Sequence, residues 1–363
     1  MMMLGGGGEV VRVQALAESG VANVPSQFIQ PPEKRPGPGG HSPHSPDFPD
    51  SPDSGVPVID LSDWDAAREE VGRACRDWGG FQVRNHGVCI GLLDQMRKAG
   101  LHFFRECSME EKLRYSCDPH SPASEGYGSR MVVDNKEAVL DWRDYLDHHT
   151  FPISRRDPNR WPQFLPNYRE LVAEYSDEMK KLALKLLSLI SESLGLPSSC
   201  ILDKVGGDEE EEMYQNITVS YYPPCPTPHL TLGLQPHSDM GALTLLIQDH
   251  VGGLQLLHHH HHTWVTVPPL SDAILVLLAD QTEIISNGQY RSPPHRALTN
   301  SHHPRLSVTA FHDPSKTRYI SPAPQLLSKD CPPRYREVLY GDYVSSWYTK
   351  GPDGKRNIDA LLI

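Results

Sequence analysis

No stretch of this 363-residue chain approaches the roughly 18 uninterrupted apolar residues that cross a bilayer. The opening MMMLGGGGEVVRVQ has neither a basic leader region nor an apolar run after it. Met2 stands where myristoylation needs glycine, and the closing DALLI offers no cysteine for prenylation. A cytoplasmic protein is therefore expected, with the nucleus as the other compartment, and no membrane partner. Clustered cations are missing too: 34 Lys and Arg face 46 Asp and Glu, for a formal net charge of −12. Nucleic acid is accordingly not expected as a partner, because phosphate binding draws on grouped Lys and Arg. The seven cysteines are an odd, scattered set with no CxxC pair, which reads as reduced thiols rather than a disulfide framework or a zinc knuckle. Cys225, in YYPPCP, reads as a small buried hydrophobe. What remains is a monomer with a large core and a small-molecule substrate.

The chain divides by composition. Residues 1–55 are a short segment followed by a Pro/Gly/Ser/Asp-rich linker over 31–55, which has almost nothing to bury. Residues 56–200 form a helical region with short strands, opened by VPVIDL and WGGFQVRNHGV. Within it, Val172, Tyr175, Met179, Leu182, Leu186 and Ile190 recur at helical spacing and predict one long helix over 168–194, stopped by Gly195 and Pro197. The run DEEEE at 208–212 reads as a solvated loop. From 213 to 320 the texture changes to short β runs (ITVSYY, ALTLLIQ, GLQLL, WVTVPP, AILVLLAD, RLSVTAF) separated by turn residues, as in a β sandwich or barrel. Residues 321–363 form a C-terminal helical segment. The five histidines at 258–262 fall where a hairpin tip is expected and read as an exposed loop.

Chemistry enters at LQPHSDMGALTLL, residues 234–246. On a strand, residues i and i+2 share a face, so His237 and Asp239 would offer a nitrogen and an oxygen to one point. His295, in YRSPPHRALTN, belongs to a later β segment and would complete a set of two histidines and one carboxylate. That set occupies one face of an octahedral ion and leaves adjacent positions open, as in non-haem Fe(II) oxygenases. Ten residues on, Arg305 has the planar donor fork that grips a carboxylate, and Ser307 faces the same way.

The motifs HSD (237–239), YRSPPHR (290–296) and RLS (305–307), with VPVIDL, WGGFQVRNHGV, YYPPCP and TWVTVPP in the same order, resemble the plant 2-oxoglutarate- and Fe(II)-dependent dioxygenases over nearly the whole body of the chain. VRVQALAESG, EGYGSR and LDWRDY are similar to jasmonate-oxidising members. The resemblance implies an α+β, mainly β fold: a double-stranded β-helix, or jelly-roll, with helices packed on one side. It implies iron on His237, Asp239 and His295, and 2-oxoglutarate held by Arg305, Ser307 and Tyr222. Dioxygen is the oxidant and ascorbate the reductant. Two positions depart from the family pattern: Ser220 replaces the usual asparagine, and Ala279 precedes Asp280 where glycine is usual. Phe311, Tyr127 and Arg130 are candidates for the substrate pocket.

The implied activity is hydroxylation or desaturation of a phenolic, flavonoid or hormone, coupled to decarboxylation of 2-oxoglutarate to succinate. An ascorbate-dependent iron oxidase without 2-oxoglutarate and a non-catalytic binding protein on the same barrel remain as alternatives. A zinc hydrolase is disfavoured, because no general base stands near the motif.

Overall fold

The computed structural model describes residues 12–36, 55–118, 125–129, 139–206, 213–259, 261–350 and 357–363. Two sheets face each other. The larger has eight strands in the order β1 (Val58–Asp60), β2 (Gly80–Arg84), β10 (Ile274–Leu278), β7 (Leu243–Gln248), β12 (Arg305–Asp313), β5 (Tyr214–Tyr222), β4 (Asp144–Phe151) and β3 (Gly126–Gly128). The smaller has four: β6 (Leu234–His237), β11 (His295–Ala297), β8 (Leu254–Leu257) and β9 (Trp264–Thr266). This is the expected double-stranded β-helix, and strands from before residue 200 share its larger sheet with strands from after 213.

The helices are α1 (Val13–Glu18), α2 (Trp64–Asp77), α3 (Ile90–Arg105), α4 (Met109–Leu113), α5 (Tyr168–Ser193), α6 (Cys200–Val205), α7 (Asp280–Ile285) and α8 (Tyr340–Lys350). Helix α5 matches the periodicity, and all six of its predicted core residues are buried. With α2 and α3 it backs the outer face of the larger sheet. Local signals set the ends: the Asp63 side chain accepts from Ala66 N–H at the start of α2, and Ser108 with Glu111 forms a capping box on α4.

The larger sheet is two-faced, because alternate residues of a strand point to opposite sides. On β12, Leu306, Val308 and Ala310 join the main apolar core with Ile217 and Val219 of β5 and Leu243, Leu245 and Ile247 of β7. The other face carries Arg305, Ser307, Thr309 and Phe311, paired with Tyr222, Ser220, Thr218 and Asn216. A β-helix of this kind encloses its second face, so a polar lining there marks a cavity rather than a solvent surface.

One reading from sequence needs correction: residues 31–36, placed in the linker, are ordered, and the segment before them is docked on the body. Val13, Val24 and Phe28 cluster with Trp142 and Cys225, and Pro32–Lys34 forms a 3-10 turn; the rest of the expected linker, 37–54, lies outside the described residues. The reason is a buried carboxylate: Asp144 accepts hydrogen bonds from Val13 and Gln14 N–H, each at 2.9 Å, so it satisfies the first free donors of α1. Cys225 is fully buried, as expected. The histidine run does connect β8 to β9: His261 and His262 are exposed, His258 packs edge-on to Trp78 at 4.4 Å, and His260 lies outside the described residues, as does the acidic run 208–212.

Candidate metal centre and cavity

His237 ends β6 and His295 begins β11, and the two are direct partners across the antiparallel pair, with ring centroids 4.2 Å apart. Asp239 is not on the strand. It sits two residues beyond it, in the turn that leads to β7, so the histidine and the aspartate converge because the chain bends there and not because of strand alternation. The Asp239 Oδ1 atom lies 3.5 Å from Nε2 of each histidine, and the three ligand atoms all lie within 4.8 Å of one another. Two ligands about 2.1 Å from an ion and at right angles stand about 3 Å apart, so the spacing suits one small divalent cation.

Each ligand is oriented by a further bond. His237 Nδ1 is 2.8 Å from the Gln235 carbonyl and His295 Nδ1 is 3.1 Å from the Pro293 carbonyl. A carbonyl accepts only, so Nδ1 carries the proton on both rings and the Nε2 lone pairs face the shared point. Thr244 Oγ1 donates to Asp239 Oδ2 at 2.6 Å, which leaves Oδ1 for the metal. Burial pushes the Asp239 carboxyl up, but the two imidazoles and Thr244 outweigh it and hold it down, at about 2. Burial depresses His295 to about 4, so it stays neutral and able to ligate. Burial pulls His237 down, but the hydrogen bond and charge of Asp239 outweigh it and raise this imidazole; two imidazoles and a carboxylate fit Fe(II).

The turn is clamped from α7. Asp280 N–H donates to the Asp239 carbonyl and Gln281 N–H to that of Gly241, each at 2.9 Å, while the Gln281 side chain donates to Met240 at 2.8 Å and Thr282 Oγ1 to Ala242 at 2.7 Å. The first donors of a helix have no partner within it, and here they fasten a metal ligand. Asp280, flagged in the sequence only as the residue after Ala279, also accepts from Tyr343 Oη of α8 at 2.5 Å.

Arg305 and Tyr222 are cross-strand partners, with the guanidinium 4.8 Å from the ring, and Ser307 lies opposite Ser220. Arg305 is 3% exposed, makes one 3.3 Å bond to Gln248, and its Nε has no partner among the described residues. Phe311 is half-buried on the same face, opposite both Asn216 and Thr244, which places it beside the residue that orients Asp239.

The other two pocket candidates fare differently. Tyr127 is fully buried in the core against Phe103 and Phe104; it pairs with Leu146, on the face of the sheet away from the cavity, and its hydroxyl donates to Asp144 at 3.2 Å. It is a core residue, because a tyrosine in so short a Gly-flanked strand follows the alternation of its neighbour β4. Arg130 lies outside the described residues.

Several cavity residues escaped the sequence reading. Thr244 was visible as the single hydroxyl in LTLLIQ. Asp147, which is half-buried and accepts from Thr218 at 2.5 Å, and Asp313, which is buried, lose solvation there, and this raises their carboxyls to about 6 and about 7. Arg143 also enters this face, and no spacing rule points to it.

Comparison with known proteins agrees with this geometry. Residues 213–314 match the 2OG-Fe(II) oxygenase superfamily, and residues 56–164 match the N-terminal region described as that of a non-haem dioxygenase in morphine synthesis. The chain belongs to the 2OG-Fe(II) oxygenase superfamily. It is an oxidoreductase that uses Fe(II) and 2-oxoglutarate and acts on plant small molecules. Among its relatives are jasmonate-induced oxygenase 1 of Arabidopsis thaliana, 39% identical over 97% of this chain and 86% of that protein, and leucoanthocyanidin dioxygenase of Malus domestica, 34% identical over 92% and 93%. Among solved structures, JOX2 in complex with 2OG, Fe and JA is 36% identical, covers 98% of each chain and superposes with a TM-score of 0.87. A dioxygenase for auxin oxidation from rice gives 26% identity and a TM-score of 0.70. No helix among the described residues is long and apolar enough to cross a membrane.

Proposed function

We propose that this protein oxidises a small plant metabolite of the jasmonate class, by hydroxylation or desaturation, with 2-oxoglutarate converted to succinate and carbon dioxide. The observation that carries this reading is a two-histidine, one-carboxylate set at the smaller sheet together with a buried arginine, with donors to spare, on the polar face of the larger sheet. His237, Asp239 and His295 hold the iron, whose contribution when bound is to activate dioxygen against 2-oxoglutarate. Arg305 and Ser307 grip the far carboxylate of the co-substrate, and Tyr222 packs on the guanidinium and fixes its direction. Phe311 lies where it excludes water and sets the approach of the substrate. The likeness to a protein that binds JA supports the jasmonate class.

The experiment follows succinate after oxygen is admitted to anaerobic protein holding Fe(II), ascorbate and 2-oxoglutarate, with jasmonate and flavonoid candidates compared by how far each accelerates turnover. His237→Ala abolishes succinate, and Arg305→Ala raises the 2-oxoglutarate KM about a hundredfold, from the loss of about 3 kcal/mol of charge-assisted bonding. Iron-loaded protein that forms no succinate with any candidate refutes the reading.

A further inference from the structure

The arginines of this fold differ in how far their donors are met. Arg97, 8% exposed, spends its donors on Asp94 at 2.7 Å and on the carbonyls of Gln248 and Ser271, each at 3.1 Å. Arg156 likewise bonds Asp177, Ser176 and the Thr150 carbonyl. Arg143 is 6% exposed, yet its only side-chain hydrogen bond among the described residues is a long one, 3.5 Å from its NH1 to Ser220 Oγ. Its Nε is buried without a partner, and the carboxylates of Asp141 and Asp147 act on the guanidinium electrostatically without forming an ion pair with it. A guanidinium has five donors, and leaving it buried and unpaired is costly. Arg305, the proposed grip for 2-oxoglutarate, shows the same pattern of a buried, partnerless Nε and one long bond.

Register places Arg143 on the cavity face. Asp144 and Leu146 of β4 pair with Tyr221 and Val219 and turn outward, whereas Tyr145 and Asp147 pair with Ser220 and Thr218. Arg143, two residues before Tyr145, lies over that ring at 5.5 Å and reaches Ser220, which is itself opposite Ser307. It is within electrostatic range of His237. Ser220 is short and offers the guanidinium only its hydroxyl.

We infer that Arg143 is a second carboxylate anchor of the cavity, serving a ligand group that Arg305 does not reach. This deepens the dioxygenase reading and rests on it. Planar bidentate donors match a carboxylate, and two sources have that chemistry: the carboxyl of an acidic substrate, and the iron-side carboxylate of 2-oxoglutarate.

The test uses Arg143→Met, which keeps the length and removes the charge, and Arg143→Lys, which keeps the charge without the fork. One arm titrates 2-oxoglutarate into the anaerobic Fe(II) protein and follows the visible charge-transfer absorption. The other measures jasmonate and indole-3-acetate, each beside its methyl ester, by calorimetry on the anaerobic Fe(II)–2-oxoglutarate protein. In Arg143→Met one carboxylate ligand loses affinity about ten- to a hundredfold, Arg143→Lys loses less, and the esters do not respond. Loss in the first arm assigns the anchor to the co-substrate, and loss in the second assigns it to an acidic substrate. If 2-oxoglutarate binding is unchanged in both variants and no acid depends on Arg143, the proposal is wrong, and a change in melting temperature alone marks a structural charge. Absence of the absorption band in the wild-type protein would instead sink the dioxygenase reading.

Discussion

Gly241 stands two residues after Asp239, where a Cβ would fall 1.9 Å from Asp313 Oδ1, 2.9 Å from the His312 carbonyl oxygen and 3.1 Å from Asp313 Cγ. Ordinary carbon–oxygen contact is about 3.3 Å, so Gly241→Ala requires a relative shift of about 1.4 Å at the first of these. Asp313 can turn away at a cost of about 1 kcal/mol in rotamer strain. The backbone oxygen cannot, because it accepts the Ala242 N–H at 2.8 Å within the same structure. Overpacking there adds about 1–3 kcal/mol, for a total loss of about 2–4 kcal/mol. The turn clamped by α7 then moves with its metal ligand, and Fe(II) affinity falls at least about tenfold. Urea denaturation and anaerobic Fe(II) titration measure the two effects. Gly241→Ala/Asp313→Ala separates their causes: it relieves the side-chain clash but leaves the carbonyl, so about 1 kcal/mol of the loss returns, and that is the coupling energy. Wild-type stability and iron affinity in Gly241→Ala, or strict additivity in the double variant, would refute this account of the turn.

Three further outcomes follow from neighbouring residues. Thr244→Val leaves Asp239 Oδ2 without its donor and weakens Fe(II) binding about ten- to a hundredfold in the same titration, whereas Thr244→Ser stays close to wild type. Burial raises Glu125 to about 7, so its stabilising contribution is complete below the unfolded carboxyl value near 4.5 and is lost as pH rises through 7; Glu125→Gln, which keeps the acceptor for Trp161 and His149 N–H, flattens the stability–pH curve in that window by about 2 kcal/mol after allowance for screening by water. His148→Phe strands the Tyr168 hydroxyl and the Ile217 carbonyl, each 3.0 Å from a ring nitrogen, and lowers unfolding free energy by about 2–4 kcal/mol in urea titrations.

The cluster of His237, Asp239 and His295 was legible in the sequence because its chemistry restricts residue type: few alternatives to histidine and carboxylate hold Fe(II), and RLS, the proposed carboxylate grip, is an independent signal. Helix α5 was legible because its apolar stripe is long. The placement of Asp239 was not, since a strand and a strand running into a turn look alike over three residues. Tyr127 was misplaced for a related reason: a three-residue strand has too little pattern of its own, and its facing is decided by the partner strand. Arg143 and the docking of α1 depend on contacts between residues far apart in the chain, Ser220 for the first and Asp144 for the second, and local periodicity contains no trace of either.

The Tyr343 bond to Asp280 ties two distant stretches of chain to one thermodynamic event. From α8 the path runs through one hydrogen bond to Asp280 and one more to the Asp239 carbonyl, so an ion that tightens the Asp239 turn also tightens the helix. Linkage is reciprocal. Iron should slow amide exchange in α8, and anything that frays α8 should loosen the iron by the same free energy, although the cluster of His237, Asp239 and His295 takes no residue from that helix.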